Sequence, residues 1–423
     1  MRKGERNLTL RILSTLFCIM VFGGFVCLDK VAIAAPTPDI KIGLVYPLSG
    51  SLSRNGNLTL QSIKASMAWV NENGGIKSMG GAKLVPVIVD SGSTVEGAAN
   101  AMERVSRDPE VALTMGSWAS SLTLASSEVS ERVGIPQFSI SFVDQLNQRG
   151  FKWGFYVTPP MSVYGEMGLA NALALAAAAG SSPRTVMILS DNQAASKAFN
   201  ESAKKYLQKR PDIKVVGEEY WTMGTLTDAT PIMQKVKSVN PDLVLYSAGA
   251  ISEAQIGLMK KREMGIKNIF MGSGGWAADP SFRQVGADFL EGMIAFSPIF
   301  PHQLTPPEWI KRSLDQSRKE YSDEPFAGQE LTYGWVLVPT VAEVLERAGS
   351  RDRKSIQEAA RKLDIHDVMA TRATAKQGMA FDETGRLAKK YQEVLIVQWQ
   401  GGVARTVFPS QLAVAKAAWP GTK

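Results

Sequence analysis

Few residues of this 423-residue chain are spaced as catalysts are. Ser202 and Lys205 make the S-x-x-K spacing of some acyl-transfer enzymes, but the surrounding AKKYLQKR puts them on the polar side of an amphipathic helix. The two histidines, His302 and His366, open no H-E-x-x-H motif, and both cysteines, Cys18 and Cys27, lie in the first 35 residues, so zinc and Cys–His chemistry lack their parts. GSGGWA at residues 272–277 has the outline of a dinucleotide fingerprint, yet Pro280 interrupts the helix that must follow and no acidic ribose partner closes the unit. No G-x-S-x-G elbow is present. These residues point to no enzyme, no cofactor and no metal.

Binding is better served. The run Gly116, Ser117, Trp118, Ala119, Ser120, Ser121 follows the strand-like VALTM and precedes a helical pattern. Small residues let a ligand approach the backbone, and hydroxyls with the free N–H groups of a helix start can hold a carboxylate. The same serines are also good N-cap residues, the plainer use of such a sequence.

The elements that must position this loop alternate regularly. Strand-like runs at residues 40–46, 83–90, 111–115 and 135–140 are separated by amphipathic segments at 61–73, 98–107 and 122–133. A second series follows FKWGFYVTPP, with strands TVMIL, IKVVGEEYW, DLVLYSAG and NIFMG between helices at 161–179, 194–209, 231–239 and 252–264. Helices at 307–321, 329–348 and 353–362 and a closing strand VLIVQW complete the chain. The pattern predicts an α/β fold of two similar doubly wound parallel-sheet lobes. In such sheets ligands sit beyond the carboxyl ends of the strands, which adds Asn55, Asn192, Gln193, Ser247, Gly249 and Ser273 as loop candidates.

Composition narrows the partners. Residues 1–35 have the layout of a secretory signal: Arg2, Lys3, Arg6 and Arg11, an uncharged run to Leu28, then AIAA, with cleavage expected near Ala34 or Ala35. That segment holds five basic and two acidic residues, so it supplies +3 of the formal net charge of +7. The remainder is mildly basic without any basic cluster interleaved with aromatics, which speaks against a nucleic-acid partner and is compatible with anionic ligands. A hydrophobic content of 45% can furnish cores for two domains without disulfides.

From Ile40 onward the chain resembles the periplasmic branched-chain amino-acid-binding (Leu/Ile/Val-binding) family of ABC-transporter solute-binding proteins, of the type I fold. The resemblance is carried by IKIGLVYPLSGSLSRNG, WVNENGGI, LVPVIVDSGST, GSWASS, VGIPQFSIS, TDATPIMQKVKSVNPDLVLY, MGIKNIFMG, EGMIAFSP and FDETG, in the family's order. It implies a three-segment hinge, with crossings near residues 156–160, 295–299 and 377–381. Lobe 1 would hold residues 39–157 plus 297–378, and lobe 2 residues 158–296 plus 379–423. It implies a periplasmic monomer that closes on a small molecule and delivers it to inner-membrane permease subunits; a sensing receptor of the same fold is the alternative.

By the same resemblance, the position of Ser120 holds the ligand carboxylate, and Ser141 and Phe142 belong to a loop that adds backbone contacts. Ala119 stands where some members have cysteine. The acidic residue that meets the ligand ammonium in amino-acid-binding members falls on Gly274, and a tyrosine of the second lobe falls on Ala195. An α-ammonium buried without a carboxylate is costly. Trp118, Phe142 and Trp276 lie on three expected cleft loops and Tyr164 just past the first crossing, so an aromatic or apolar carboxylate is expected rather than a simple α-amino acid. A branched-chain amino acid or its amide is the alternative ligand.

Overall fold

The computed structural model describes residues 38–297, 308–320 and 329–419. The expected leader, His302 and part of the second crossing lie outside the described residues. Five strands, β1 (Ile40–Tyr46), β2 (Leu84–Asp90), β3 (Val111–Gly116), β4 (Gln137–Ser139) and β5 (Gly154–Tyr156), form a parallel sheet of order β2-β1-β3-β4-β5. Its helices are α1 (Ser53–Glu72), α2 (Val95–Ser106) and α3 (Ser120–Val133). β1 and β3 are apolar and buried almost throughout, as strands covered on both faces must be.

The second lobe begins with the helix Met161–Val163, a π turn at Tyr164–Gly168 and helix α4 (Leu169–Ala178). It continues β6 (Thr185–Asp191), α5 (Ala194–Gln208), β7 (Lys214–Trp221), α6 (Thr230–Val239), β8 (Leu243–Ser247), α7 (Ile251–Glu263), β9 (Ile269–Gly272) and β10 (Ile294–Ser297). Helices α8 (Glu308–Glu320), α9 (Gln329–Ala348) and α10 (Arg353–Arg361) return to the first lobe, where α9 packs along α1. The small ribbon β11 (Asp364–His366) and β12 (Gly378–Ala380) precedes β13 (Leu395–Gln400) and β14 (Val403–Phe408). The second sheet has the order β14-β13-β10-β9-β8-β6-β7; β13 and β14 are antiparallel, so its far edge departs from a purely parallel winding.

Core packing groups the chain around the two sheets. Val157, Met379, Phe381 and Leu387 belong to the core of the first sheet, whereas Met161, Phe296, Val394 and Ile396 belong to that of the second. Parallel bridging of Tyr156 to Arg386 sets two distant stretches of chain side by side.

Helix α1 starts eight residues before the apolar periodicity does. Its first turns, SRNGNL, are poor in helix formers, but a Cβ on Gly56 would sit 1.9 Å from the Pro47 carbonyl oxygen. Close seating of the helix on this loop requires glycine there. Gly56→Ala should destabilise the protein by about 1–3 kcal/mol through overpacking, read from the urea midpoint; an unchanged midpoint would show that the loop simply moves aside.

Candidate functional site

The carboxyl ends of both sheets face one another across a cleft. Past β3 stand Trp118, Ala119 and Ser120; past β4, Ile140 and Phe142; past β6, Gln193, Ala195 and Ser196; past β8, Ala248 and Gly249; past β9, Ser273 and Gly274. With Met161, Tyr164 and Tyr333 of α9 they line a cavity with about 550 Å³ of empty space, part of it open to solvent. The lobes touch around it. Phe142 packs into both cores, Ala194 and Ala198 of α5 pack against Val143, Leu146 and Tyr156, and Ala250 packs against Leu52, Ala98, Ala119 and Leu122.

The loop after β3 is built for close approach. Gly116 has φ 145° and a Cβ there would meet the Val45 carbonyl oxygen at 2.1 Å, so no other residue fits; Trp118 follows in the left-handed region at φ 60°. The N-cap position of helix α3 is Ala119, which offers no side-chain acceptor, and its first-turn N–H groups are left without an intrahelical partner. N-capping, the plainer use of these serines, is thus not what Ser120 does. Its Oγ accepts from the backbone N–H groups of Phe142 (3.2 Å) and Val143 (3.3 Å). A hydroxyl has two acceptor positions and one proton, so Ser120, on the cavity wall, has only its proton left to give.

Beneath this turn lies a buried network of hydroxyls. Gln137 Nε2 donates to the Gly116 carbonyl (3.1 Å) and to Ser126 Oγ (2.8 Å), Ser117 Oγ donates to Ser126 Oγ, and Ser117 N–H donates to Thr123 Oγ1. Thr123 Oγ1 meets Ser141 Oγ at 2.5 Å, and Ser141 Oγ meets Ser139 Oγ at 2.9 Å. Ser141 is fully buried in this network and does not line the cavity.

The cavity wall is neutral. Among the described residues that line it there is no Asp, Glu, Lys, Arg or His. Its aromatic side is Phe142, edge-on to Tyr164 at 5.4 Å between centroids and tilted against Tyr333 at 6.4 Å, with Trp118. Trp118 Nε1–H and the Tyr164 hydroxyl are buried with no hydrogen-bond partner in the protein. Burial holds the Tyr164 phenol well above its ordinary range, so it remains a donor.

Behind the second-lobe loops stands the carboxylate of Asp191, wholly buried, whose oxygens accept from Gln193 N–H (3.1 Å) and Gly249 N–H (2.5 Å). Burial pushes its carboxyl up, against hydrogen bonds from Ser196, Gly249 and Gln193.

Of the residues singled out from sequence, Trp118, Ala119, Ser120, Phe142, Tyr164, Gly249 and Gly274 line the cavity, with Gln193, Ala195 and Ser273. The others stand elsewhere. Ser121 is half-buried on the first turn of α3; Asn55 is buried on α1; Ser247 is buried and donates to Asn200 Oδ1; exposed Asn192 accepts from Met223 N–H. Trp276 belongs to the short turn Gly275–Ala278 and its side chain lies outside the described residues. Sequence reasoning missed Ile140, Met161, Ser196, Ala248 and Tyr333. Ile140 and Ala248 directly follow strands, so the strand-end rule reaches them; Tyr333 sits inside a helix far along the chain, with no signal of its role.

Among the described residues an ion pair crosses the cleft, from Arg54 Nη2 of α1 to Asp279 Oδ1 at 3.6 Å, with Asp279 fully buried. Its loss should favour the open lobes. Arg54→Ala is expected to lower the closed-to-open ratio by about fivefold, near 1 kcal/mol, and to raise the radius of gyration in small-angle scattering. An unchanged scattering profile would show that the pair follows closure without stabilising it.

Comparison with known proteins agrees with this architecture. The family model described as periplasmic binding protein matches residues 39–402. Leu/Ile/Val-binding protein homolog 7 of Brucella abortus (strain 2308) is 24% identical over 396 residues, covering 92% of this chain and 96% of the relative. The branched-chain amino acid transporter substrate binding protein of Streptococcus pneumoniae, solved in complex with isoleucine, superposes with a TM-score of 0.72 at 22% identity, covering 88% of this chain and all of that one. A solute binding protein of Rhodopseudomonas palustris solved with benzoate superposes with a TM-score of 0.71 at 16% identity, covering 90% and 99%. With two α/β lobes closed over a cavity at their strand ends, the chain belongs to the periplasmic binding protein family, in the type I fold of its leucine-binding members.

Proposed function

We propose that this protein is the substrate-binding component of an ABC importer, exported with its leader removed near Ala34 or Ala35, and that it captures a small aromatic or apolar carboxylate for a membrane permease. The observation that carries the ligand class is the cavity wall: an uncapped helix start and a proton-donating Ser120 at one side, aromatic rings around it, and no charged side chain. A carboxylate would find N–H and O–H donors there, including Trp118 Nε1 and the Tyr164 hydroxyl, which have no partner in the protein. An α-ammonium would find no acid on the wall, because Gly274 stands where the resemblance puts one. The benzoate carried by one structural neighbour supports the reading by analogy only.

A branched-chain amino acid is the second reading. It is favoured by the isoleucine in another neighbour and by Asp191, whose carboxylate stands directly behind Gln193 and Gly249.

Thermal melting of refolded, ligand-stripped protein against aromatic acids, aliphatic acids, amino acids and amides separates the two. A ligand at a hundred times its Kd adds about 2.7 kcal/mol and should raise Tm by several degrees. Shifts with aromatic or apolar acids alone are expected; shifts with leucine or isoleucine would replace the proposal by the second reading. In calorimetry, Ser120→Ala should weaken carboxylate binding by about 1–3 kcal/mol, and an unchanged Kd would remove that hydroxyl from the site.

A further inference from the structure

We propose that Arg386 is a positioning residue that gives the cleft its preference for anions, fixing the loop of residues 141–143 and polarising the peptide that meets Ser120. This rests on the carboxylate reading above and deepens it. Arg386 is 2% exposed, and its guanidinium bonds run to three neutral acceptors: Nη1 to the Ser141 carbonyl at 2.6 Å, Nη2 to the Val143 carbonyl at 2.9 Å, and Nε to Asn147 Oδ1 at 2.6 Å. Its ring contact, Tyr156 at 4.7 Å, is neutral as well. Two carboxylates, Asp382 and Asp144, act on it through space without a direct ion pair: Asp382 accepts from the backbone N–H groups of Thr384 and Arg386, and Asp144 accepts from Ser162.

The two carbonyls that Arg386 grips bracket Phe142, whose N–H, with that of Val143, fills the acceptor positions of Ser120 Oγ. A chain of aligned bonds therefore runs from the guanidinium through the Ser141–Phe142 peptide to the Ser120 hydroxyl, each bond polarising the next so that the last proton is offered more strongly. The positive charge also reaches the Tyr164 phenol on the cavity wall. Burial lowers the guanidinium's pKa only to about 10, so it stays charged at neutral pH. The residue also lies where the first and last passages between lobes bridge, so the loop it holds is tied to the hinge.

The test compares binding of carboxylates with binding of their neutral primary amides, benzoate against benzamide and 4-methylvalerate against 4-methylvaleramide, by calorimetry on the whole protein. Arg386→Gln should lower the carboxylate-over-amide preference by about tenfold to a hundredfold, whereas Arg386→Lys should keep most of it. Should Arg386→Gln fail to fold, Asn147→Asp sets a carboxylate against Nε without removing the guanidinium and should lower the same preference. Equal losses for acid and amide in these variants would overturn the assignment and leave the carboxylate reading intact. A wild-type protein that binds neither benzoate nor 4-methylvalerate, yet binds leucine or isoleucine, would overturn both.

Discussion

The cleft depends on the hydroxyl network under the start of α3. A turn that runs through Gly116 at φ 145° and Trp118 at φ 60° leaves backbone groups facing a dry interior, and each must be met. Gln137, Ser126, Ser117, Thr123, Ser141 and Ser139 meet them with one another, all without exposure to solvent. With those groups satisfied from below, the N–H groups of the first helical turn and the Ser120 proton are left toward the cavity. The same serine-rich stretch that a sequence reader takes for simple capping is here a floor that holds an uncapped helix in place.

Charge is arranged around the cleft, not in it. The wall is neutral, Arg386 stands one peptide layer behind the first-lobe loops, Asp191 stands behind the second-lobe loops, and Arg54 with Asp279 pairs across the gap. Side chains held at second remove exert fields without offering contacts that water could compete for, and a low-dielectric setting lengthens their reach. Arg386 and Asp191 also have mechanical work, since each pins two backbone groups of loops that line the cavity.

Much of the fold was legible because parallel strands buried on both faces announce themselves as apolar runs, and β1 was readable to its ends. The edge pair β13 and β14 was less so, because VARTVF is half-exposed and mixes polar with apolar residues. The start of α1 was hidden by Asn55, Gly56 and Asn57, whose presence answers to a neighbouring loop and not to helix propensity. Of the candidate site, the loops that follow strands were legible from topology. Which residues of those loops face the cavity was not, since Ser120 and Ser141 look alike in sequence, yet one lines the cavity and the other is buried in the network beneath it. Asp191 reads as a strand end, and Arg386 drew no notice because its partners lie more than two hundred residues earlier.

The division of the first lobe between distant stretches of chain has a kinetic consequence. Helix α1 finds its partner α9 only after β6 to β10 of the second lobe have been made, whereas the second lobe's central strands, β6 to β9, come from one continuous stretch. Closing long loops is slow, so the lobe with local contacts can form early while the other waits, its apolar sheet face uncovered. The residues that complete the first core, around Phe381 and Leu387, come late in the chain and lie next to Arg386, which bridges to Tyr156 of the first sheet. A chain cut short before that point would keep the five strands of the first sheet and lack part of the core that covers them.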